Sequence, residues 1–367
     1  MAHFERLFEP GRIGTLDLAN RIIVAPMVTH YSKDGYVTDK MIRYYAERAR
    51  GGAGLVVLEA AYPRKGVNPG RIHIWDDSFV PGLKRLTDSL HQWGGKVAIQ
   101  INPSRGRSDA ADPVSASTVP HPRTGKVPRA LTPAEIRGLV EDFGRGVLRA
   151  REAGFDAVMI HGASGYLISE FLSPRANRRN DAYGGDIAGR SRFLVEIALE
   201  AKRQGGKDLA LILRLAASER VEGGLSLEDA VETCRLARQA GVDAVDVVSG
   251  VADSMEWVVP AHNFPPACNA ALAAEIKQRA GLPISVAGKI VDPAVAEEVL
   301  RSGHTDFISL GRALLADPYF PAKVKAGKVS DITTCTCCMS CMESFYAAEP
   351  LICAVNPALG EESDATR

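Results

Sequence analysis

The chain has 367 residues, of which 46% are hydrophobic and 24% charged, the composition of an ordinary globular protein. Lys plus Arg and Asp plus Glu number 44 each, which removes any global electrostatic case for a nucleic-acid or acidic-membrane partner. The longest apolar runs, Ile22–Val28 and Leu55–Leu58, are too short to span a bilayer, and Met-Ala-His-Phe-Glu-Arg at the start lacks the layout of a signal peptide, so a cytoplasmic location is expected.

In chain order, short β-branched or apolar runs alternate with stretches of helical period. A strand at Ile22–Ala25 precedes a helix at Asp39–Arg50; Leu55–Leu58 precedes Phe79–Trp93; Val97–Ile101 precedes Pro133–Ala153. Ala157–Ile160 is followed by Arg190–Gln204, Leu209–Leu213 by Ser226–Ala240, Ala244–Val248 by Asn269–Ala280, Ile284–Ala287 by Pro293–Ser302, and Phe307–Leu310 is the eighth strand. Thr132-Pro133, Ser226 and Asp292-Pro293 read as helix starts, while Gly94-Gly95, Gly154, Gly241, Gly281 and Gly303 read as helix ends. Eight such units predict a parallel sheet, and their number favours a closed (β/α)8 TIM barrel over an open one. The first strand is followed by Pro26-Met27-Val28-Thr29, without the glycines of a dinucleotide-binding turn.

Two connections are long, 102–132 and 162–189, and such loops frame the ligand site of a barrel. The first carries Arg105, Arg107, Arg123, Lys126 and Arg129, which either face solvent or draw in an anionic substrate. Chemistry is expected where strands end: Pro26-Met27, Glu59-Ala60, Gln100, His161, Arg214, Ser249-Gly250, Gly288-Lys289 and Gly311-Arg312. Glycines after strands seven and eight suit a phosphate, with Arg312 adding a bidentate contact, and Gln100 and Arg214 suit a polar, partly anionic ring. Together they describe a planar, phosphate-bearing cofactor over the barrel mouth. In His161-Gly162-Ala163-Ser164-Gly165-Tyr166 the first and fourth residues can both donate to one substrate oxygen, and Tyr166 can deliver a proton from another direction.

Five of the seven cysteines fall near the C-terminus, in the run Cys335-x2-Cys338-x2-Cys341-x11-Cys353 with Cys337 outside the spacing. Four thiolates so spaced can hold a [4Fe–4S] cluster; a zinc ion held by four cysteines is the alternative, although zinc sites favour two separated pairs. Cys234 and Cys268 read as packing residues. The division expected is a barrel over residues 1–330 and an iron–sulfur segment over 331–367.

The whole pattern resembles the Old Yellow Enzyme family of flavin-dependent barrels, in its iron–sulfur branch with 2,4-dienoyl-CoA reductase and trimethylamine dehydrogenase. The resemblance rests on Leu7-Phe8-Glu9-Pro10, Leu18-Ala19-Asn20-Arg21, Ala25-Pro26-Met27, Gln100, the His161–Leu167 stretch, Glu170–Pro174, Asp181–Gly185, Arg190–Phe193, Gly311–Pro318 and the cysteines. It implies FMN, with Gln100 and Arg214 on its pyrimidine side, Gly288, Gly311 and Arg312 around its phosphate, and Pro26, Met27 and Ala60 beside it. It implies an ene-reductase that passes hydride to an activated C=C bond of an enone or enoyl thioester, with electrons from NAD(P)H. His161 and Ser164 would hold the carbonyl oxygen and Tyr166 would protonate the α-carbon. The alternative runs the other way, oxidising an N-methylated amine or amino acid, and Trp257 and Tyr31 are the aromatic candidates for holding such a cation.

Departures are visible. Ser164 stands where relatives more often carry Asn or His, Pro103-Ser104-Arg105-Gly106-Arg107 has lost a histidine, Val28 replaces a Thr or Cys, and 250–260 contains no histidine. Iron–sulfur relatives continue into a second half that binds FAD or ADP and NAD(P)H. This sequence stops at Arg367, so either it is a fragment or a separate electron-transfer flavoprotein or FAD subunit serves it; homo-oligomerisation is left open.

Overall fold

The structure, a computed structural model, describes residues 4–66, 70–108 and 112–362; parts of the long 102–132 connection and of the C-terminal segment lie outside the described residues. Eight parallel strands close into a barrel: β1 (Ile22–Val24), β2 (Leu55–Ala61), β3 (Lys96–Ile101), β4 (Ala157–Gly162), β5 (Ala210–Ala216), β6 (Ala244–Val248), β7 (Ile284–Val286) and β8 (Phe307–Leu310). Neighbours in sequence are neighbours in the sheet, and β8 pairs back onto β1.

Local chemistry explains the helices between them. Thr132 and Ser226 each form a capping box, with Glu135 and Asp229, and Asp292 accepts from the Ala294 N–H. Gly281 ends its helix in the left-handed region at φ +68°, where a side chain would be strained. The helix expected from Arg190 starts earlier, at Ile187, because Asp186 caps it by accepting from Gly189 N at 2.9 Å.

A two-residue period along the strands separates two cores. Outward residues such as Val56, Leu58, Ile99, Val158, Ile160, Leu211, Leu213, Val245 and Val247 pack beneath the helices. Inward residues Ile23, Leu55, Val57, Ala98, Ala157, Met159, Ala210, Ile212, Ala244 and Phe307 fill the lower barrel. The floor comes from a feature the sequence reading missed. A hairpin of Gly11–Ile13 against Leu16–Leu18 inserts Ile13, Leu16 and Leu18 into that inner cluster. Its strands are three residues long, too short to show a period.

The same inward rows turn polar near the top, through Gln100, His161, Arg214, Asp246 and Ser309. This corrects the expectation that polar residues end the strands. β5 runs on to Ala216 past Arg214, and β4 includes His161 and Gly162, because pairing continues through His161–Arg214 and Gly162–Leu215. β2 shows a register shift between Leu58 and Ala61.

The C-terminal segment folds back over the mouth. Leu351 N donates to Thr29 O at 2.9 Å, Tyr31 Oη to Leu351 O at 2.8 Å, and Asn356 Nδ2 to Leu315 O at 2.8 Å. Buried Arg48 pairs with Glu362 at 3.0 Å. Among the described residues no helix is long and apolar enough to cross a membrane.

The floor hairpin yields a stability test. Leu18 is buried at the base of the barrel, so Leu18→Ala is expected to cost about 2–5 kcal/mol in denaturant unfolding, the range for truncating a packed leucine.

Candidate active site

A cavity of about 680 Å3 opens at the C-terminal end of the barrel. Its walls bring together most of the strand-end candidates, Pro26, Met27, Ala60, Gln100, His161, Arg214, Gly288, Gly311 and Arg312, with Ser164 and Tyr166 from the loop after β4. Glu59 does not reach it. Beside the register shift in β2, Glu59 accepts from Thr29 N at 3.2 Å and from Thr29 Oγ1, while Ala60 lines the cavity. Burial pushes the Glu59 carboxyl up to about 7. Ser249 is also turned away, donating to Asn269 Oδ1 in the wall behind β7.

The His161 imidazole is 6% exposed, and its Nδ1 is buried with no hydrogen-bond partner among the described residues. Burial, then the nearby Arg214 guanidinium, pushes its pKa down to about 3, so the ring is neutral at physiological pH and offers one N–H donor. Tyr166 meets it edge-on, with ring centroids 5.0 Å apart. Ser164 sits between them in sequence at φ +60°, an uncommon conformation for a residue with a Cβ and one often found where function fixes the backbone.

Beside His161 on the neighbouring strand, Arg214 is held by Asp246, which faces it in register on β6. Sequence reasoning missed Asp246 because it sits inside an apolar strand run. Gln100 is 4% exposed, with Nε2 3.4 Å from Met159 Sδ as its neighbour. Its amide is therefore free for a stronger partner. Gly288 has φ +149°, and a Cβ there would stand 2.8 Å from Asn269 Nδ2 and 3.0 Å from Cys268 Sγ; at Gly311 it would stand 3.0 Å from Met27 Sδ. Gly288 requires bare backbone, whereas at Gly311 the flexible end of Met27 would have to give; with Arg312 and with Lys289, whose ammonium donates to His262 O and Phe264 O, they form a cationic cradle suited to a phosphate. Cys268, expected as a packing residue, borders this cradle. The donor set fits FMN: an amide and a guanidinium for a polar ring, and glycines with cations for its phosphate.

Of the loop cations singled out in the sequence, Arg105 and Arg123 line the cavity, and Arg71, which was not singled out, joins them with His30, Tyr62, Phe345 and Tyr346; among the described residues no Asp or Glu lines it. Of the loop cations, Arg107 instead binds buried Glu170 through N and Nε at 3.0 and 3.1 Å, and Arg129 pairs with Glu135 at 2.8 Å. Neither aromatic candidate for a cation pocket lies here. Trp257 meets Phe264 edge-on and lies under Arg220, and Tyr31 donates to Leu351 O.

A second, small cavity beside the first is lined by Cys335, Cys338, Cys341 and Cys353 together with Cys337, Met339, Arg312 and Leu315. The spacing sets Cys337 aside, but the fold buries it among the others at φ +55°. All seven cysteines are free, and no three of the described His, Cys, Asp or Glu residues stand close enough to hold an ion. The donor type is the all-thiol one that a four-cysteine cluster takes, and the four border one small space, but their spacing there does not itself define a metal site. Arg312, Leu315 and Cys341 line both cavities.

Comparison with known proteins gives a consistent picture. The NADH:flavin oxidoreductase / NADH oxidase family matches residues 6–331. The chain is 37% identical over 373 residues to an NADH oxidase of Thermoanaerobacter brockii, covering 99% of this chain and 57% of the relative. Among solved structures it resembles a 2-naphthoyl-CoA reductase in complex with 2-naphthoyl-CoA, at TM-score 0.95 and 29% identity over 99% of this chain and 58% of that one. It also resembles histamine dehydrogenase from Rhizobium sp. 4-9, at TM-score 0.88 and 27% identity over 98% of this chain and 53% of that one. The chain thus spans just over half the length of these relatives.

The buried neutral imidazole predicts an acid effect. The unfolded chain protonates His161 near 6.5 whereas the folded one resists until about 3, so its contribution to stability is present above 6.5 and is lost as pH falls toward 3. His161→Gln is expected to lose less stability between pH 7 and pH 5 than the parent, read as urea midpoints at the two pH values.

Proposed function

The chain belongs to the NADH:flavin oxidoreductase / NADH oxidase family, which makes it an FMN-dependent oxidoreductase, and from that premise we propose that it is an ene-reductase. It reduces an activated C=C bond, as in an enone or enoyl thioester, with electrons that originate on NAD(P)H. The observation that carries this reading is the convergence of neutral His161, Ser164 and Tyr166 in one cavity whose other lining residues suit a flavin.

Gln100 and Arg214 would hold the pyrimidine side of FMN, with Asp246 orienting the guanidinium. Gly288, Gly311 and Arg312 would hold its phosphate, and Pro26, Met27 and Ala60 would lie beside it. Bound and reduced, FMN supplies the hydride. His161 and Ser164 hold the substrate's carbonyl oxygen and stabilise the negative charge that gathers there as the bond is reduced, the work of an oxyanion hole. Tyr166 delivers the proton to the α-carbon; a phenol, with a reference pKa of about 10, is protonated at neutral pH and can give its proton once charge has developed.

Cys335, Cys338, Cys341 and Cys353 would hold a [4Fe–4S] cluster, and what supports this is their shared cavity next to Arg312. Such a centre would carry single electrons between the flavin site and a donor, either an NAD(P)H-oxidising region or a separate flavoprotein. Seven free thiols suit the reducing cytoplasm, where this reading places the enzyme. The likeness to histamine dehydrogenase favours a second reading, oxidation of an amine, of which an N-methylated amine or amino acid is one form. A cavity lined by arginines, with no carboxylate among its described lining residues, is poorly matched to an ammonium substrate.

Three variants test the assignment. Under anaerobic conditions His161→Ala is expected to keep its flavin but lose enone-dependent reoxidation, and loss of FMN instead would make the histidine structural. Tyr166→Phe is expected to slow the same reaction about 10²- to 10⁴-fold, the usual worth of a general acid. Cys341→Ser is expected to lose iron and the broad visible absorbance of a cluster while retaining the flavin bands; unchanged iron content would remove Cys341 from the ligand set.

A further inference from the structure

Two arginines inside the cavity are not accounted for by the flavin or by the carbonyl site. Arg71 is 5% exposed and lines the cavity, yet its Nε has no hydrogen-bond partner among the described residues, and neither does the buried Nε of Arg105. Neither guanidinium forms an ion pair with a carboxylate among the described residues. The buried carboxyl that feels Arg71, Glu59, gives its Oε1 to Thr29 and makes no ion pair with Arg71, its Oε2 having no partner among the described residues. Arg71 packs on the face of Phe345, 5.1 Å from the ring centroid. A buried, unpaired cation is costly, and a ligand anion is the partner that removes the cost.

The two arginines also share neighbours. Both act on His30 and Tyr62, and Tyr62 in turn feels Tyr166. Tyr166 thus lies close to both His161 and Tyr62, and Tyr62 close to the arginine pair. Both are held by firm backbone. Residue 71 adjoins Ile72, whose carbonyl accepts from Tyr62 N at 3.1 Å, and the loop of Arg105 is anchored two residues on by Arg107 on Glu170. His30 adds no charge, since burial and the two arginines push its pKa down to about 4.

We propose that Arg71 and Arg105 form a carboxylate-binding subsite, so that the substrate is an activated alkene carrying a carbonyl at His161 and Ser164 and a carboxylate at the arginine pair. The proposal rests on the ene-reductase reading and names its substrate class. A carboxylate suits these two residues better than the phosphates of a coenzyme A tail. Arg71 is enclosed within the cavity, whereas a long tail must leave through the mouth, where the exposed Arg123 stands against Tyr346. Two guanidinium forks converging on one planar anion are the arrangement that carboxylates select.

The test is binding of 3-benzoylpropanoate, the saturated form of an oxo-enoate, and of its uncharged amide to the oxidised holoenzyme, by calorimetry. The wild type is expected to prefer the acid about 10- to 100-fold, the worth of one or two charge-assisted hydrogen bonds. Arg71→Gln and Arg105→Gln are each expected to erase most of that preference, and Arg71→Lys to keep part of it. Two variants on separate loops keep the test open should one fail to fold. No preference in the wild type, or a preference that survives both Gln variants, overturns the subsite. If instead crotonyl-CoA binds with the same dependence on Arg71 and the acid does not, the cations serve a phosphate and the carboxylate assignment fails. Reduction of 3-benzoylacrylate by the photoreduced holoenzyme is measured separately. Arginine-dependent binding without reduction would leave the subsite standing and remove the ene-reductase reading.

Discussion

Two backbone ladders join the ends of one sheet: Ile22 with Ile308, Ile23 with Ser309 and Val24 with Leu310 on one side of the seam, and the pairing onward into β2 on the other. Because every strand runs parallel, closing that seam forces all eight carboxyl ends to one mouth. Residues nearly 300 positions apart, such as Pro26 and Arg312, then face a common space with no specific contact drawing them together. The lower barrel supplies the stability for this. Its apolar rows and the three hydrophobic residues of the floor hairpin are sealed from water, so the upper rows can hold polar groups with incomplete partners.

The upper rows are where electrostatics takes over from packing. Asp246 answers Arg214, and Glu170 answers Arg107, so those cations are structurally settled. The Nε of Arg71, the Nε of Arg105 and the Nδ1 of His161 have no partner among the described residues. A cavity that keeps His30 and His161 neutral, and that is lined by guanidiniums with no carboxylate among its described lining residues, is prepared for negative charge, whether present in the ligand or developing during reaction.

The sequence was most legible where a period or a cap repeats. The helix at Asp39–Arg50 and the strands at Ala244–Val248 and Phe307–Leu310 have the ends that pattern alone assigns. The strand-end residues were legible because barrel topology turns chain position into spatial position. What was hidden falls into three kinds. The floor hairpin is too short for a period. Asp246 reads as a polar interruption of a buried strand until its partner across the ladder is known. Arg71 and His30 lie in irregular backbone, His30 at φ +55°, where spacing carries no information about direction.

The helix Ser340–Ala347 joins two tasks that a sequence reading keeps apart. Cys341 near its start borders the thiol cavity, while Met342, Phe345 and Tyr346 along it form a wall of the larger one. Arg312 extends the link by reaching Met339 Sδ at 3.7 Å from the barrel side. The wall of the larger cavity and the thiol cavity thus share one short helix, so a change of size or charge at Cys341 is expected to be felt in both.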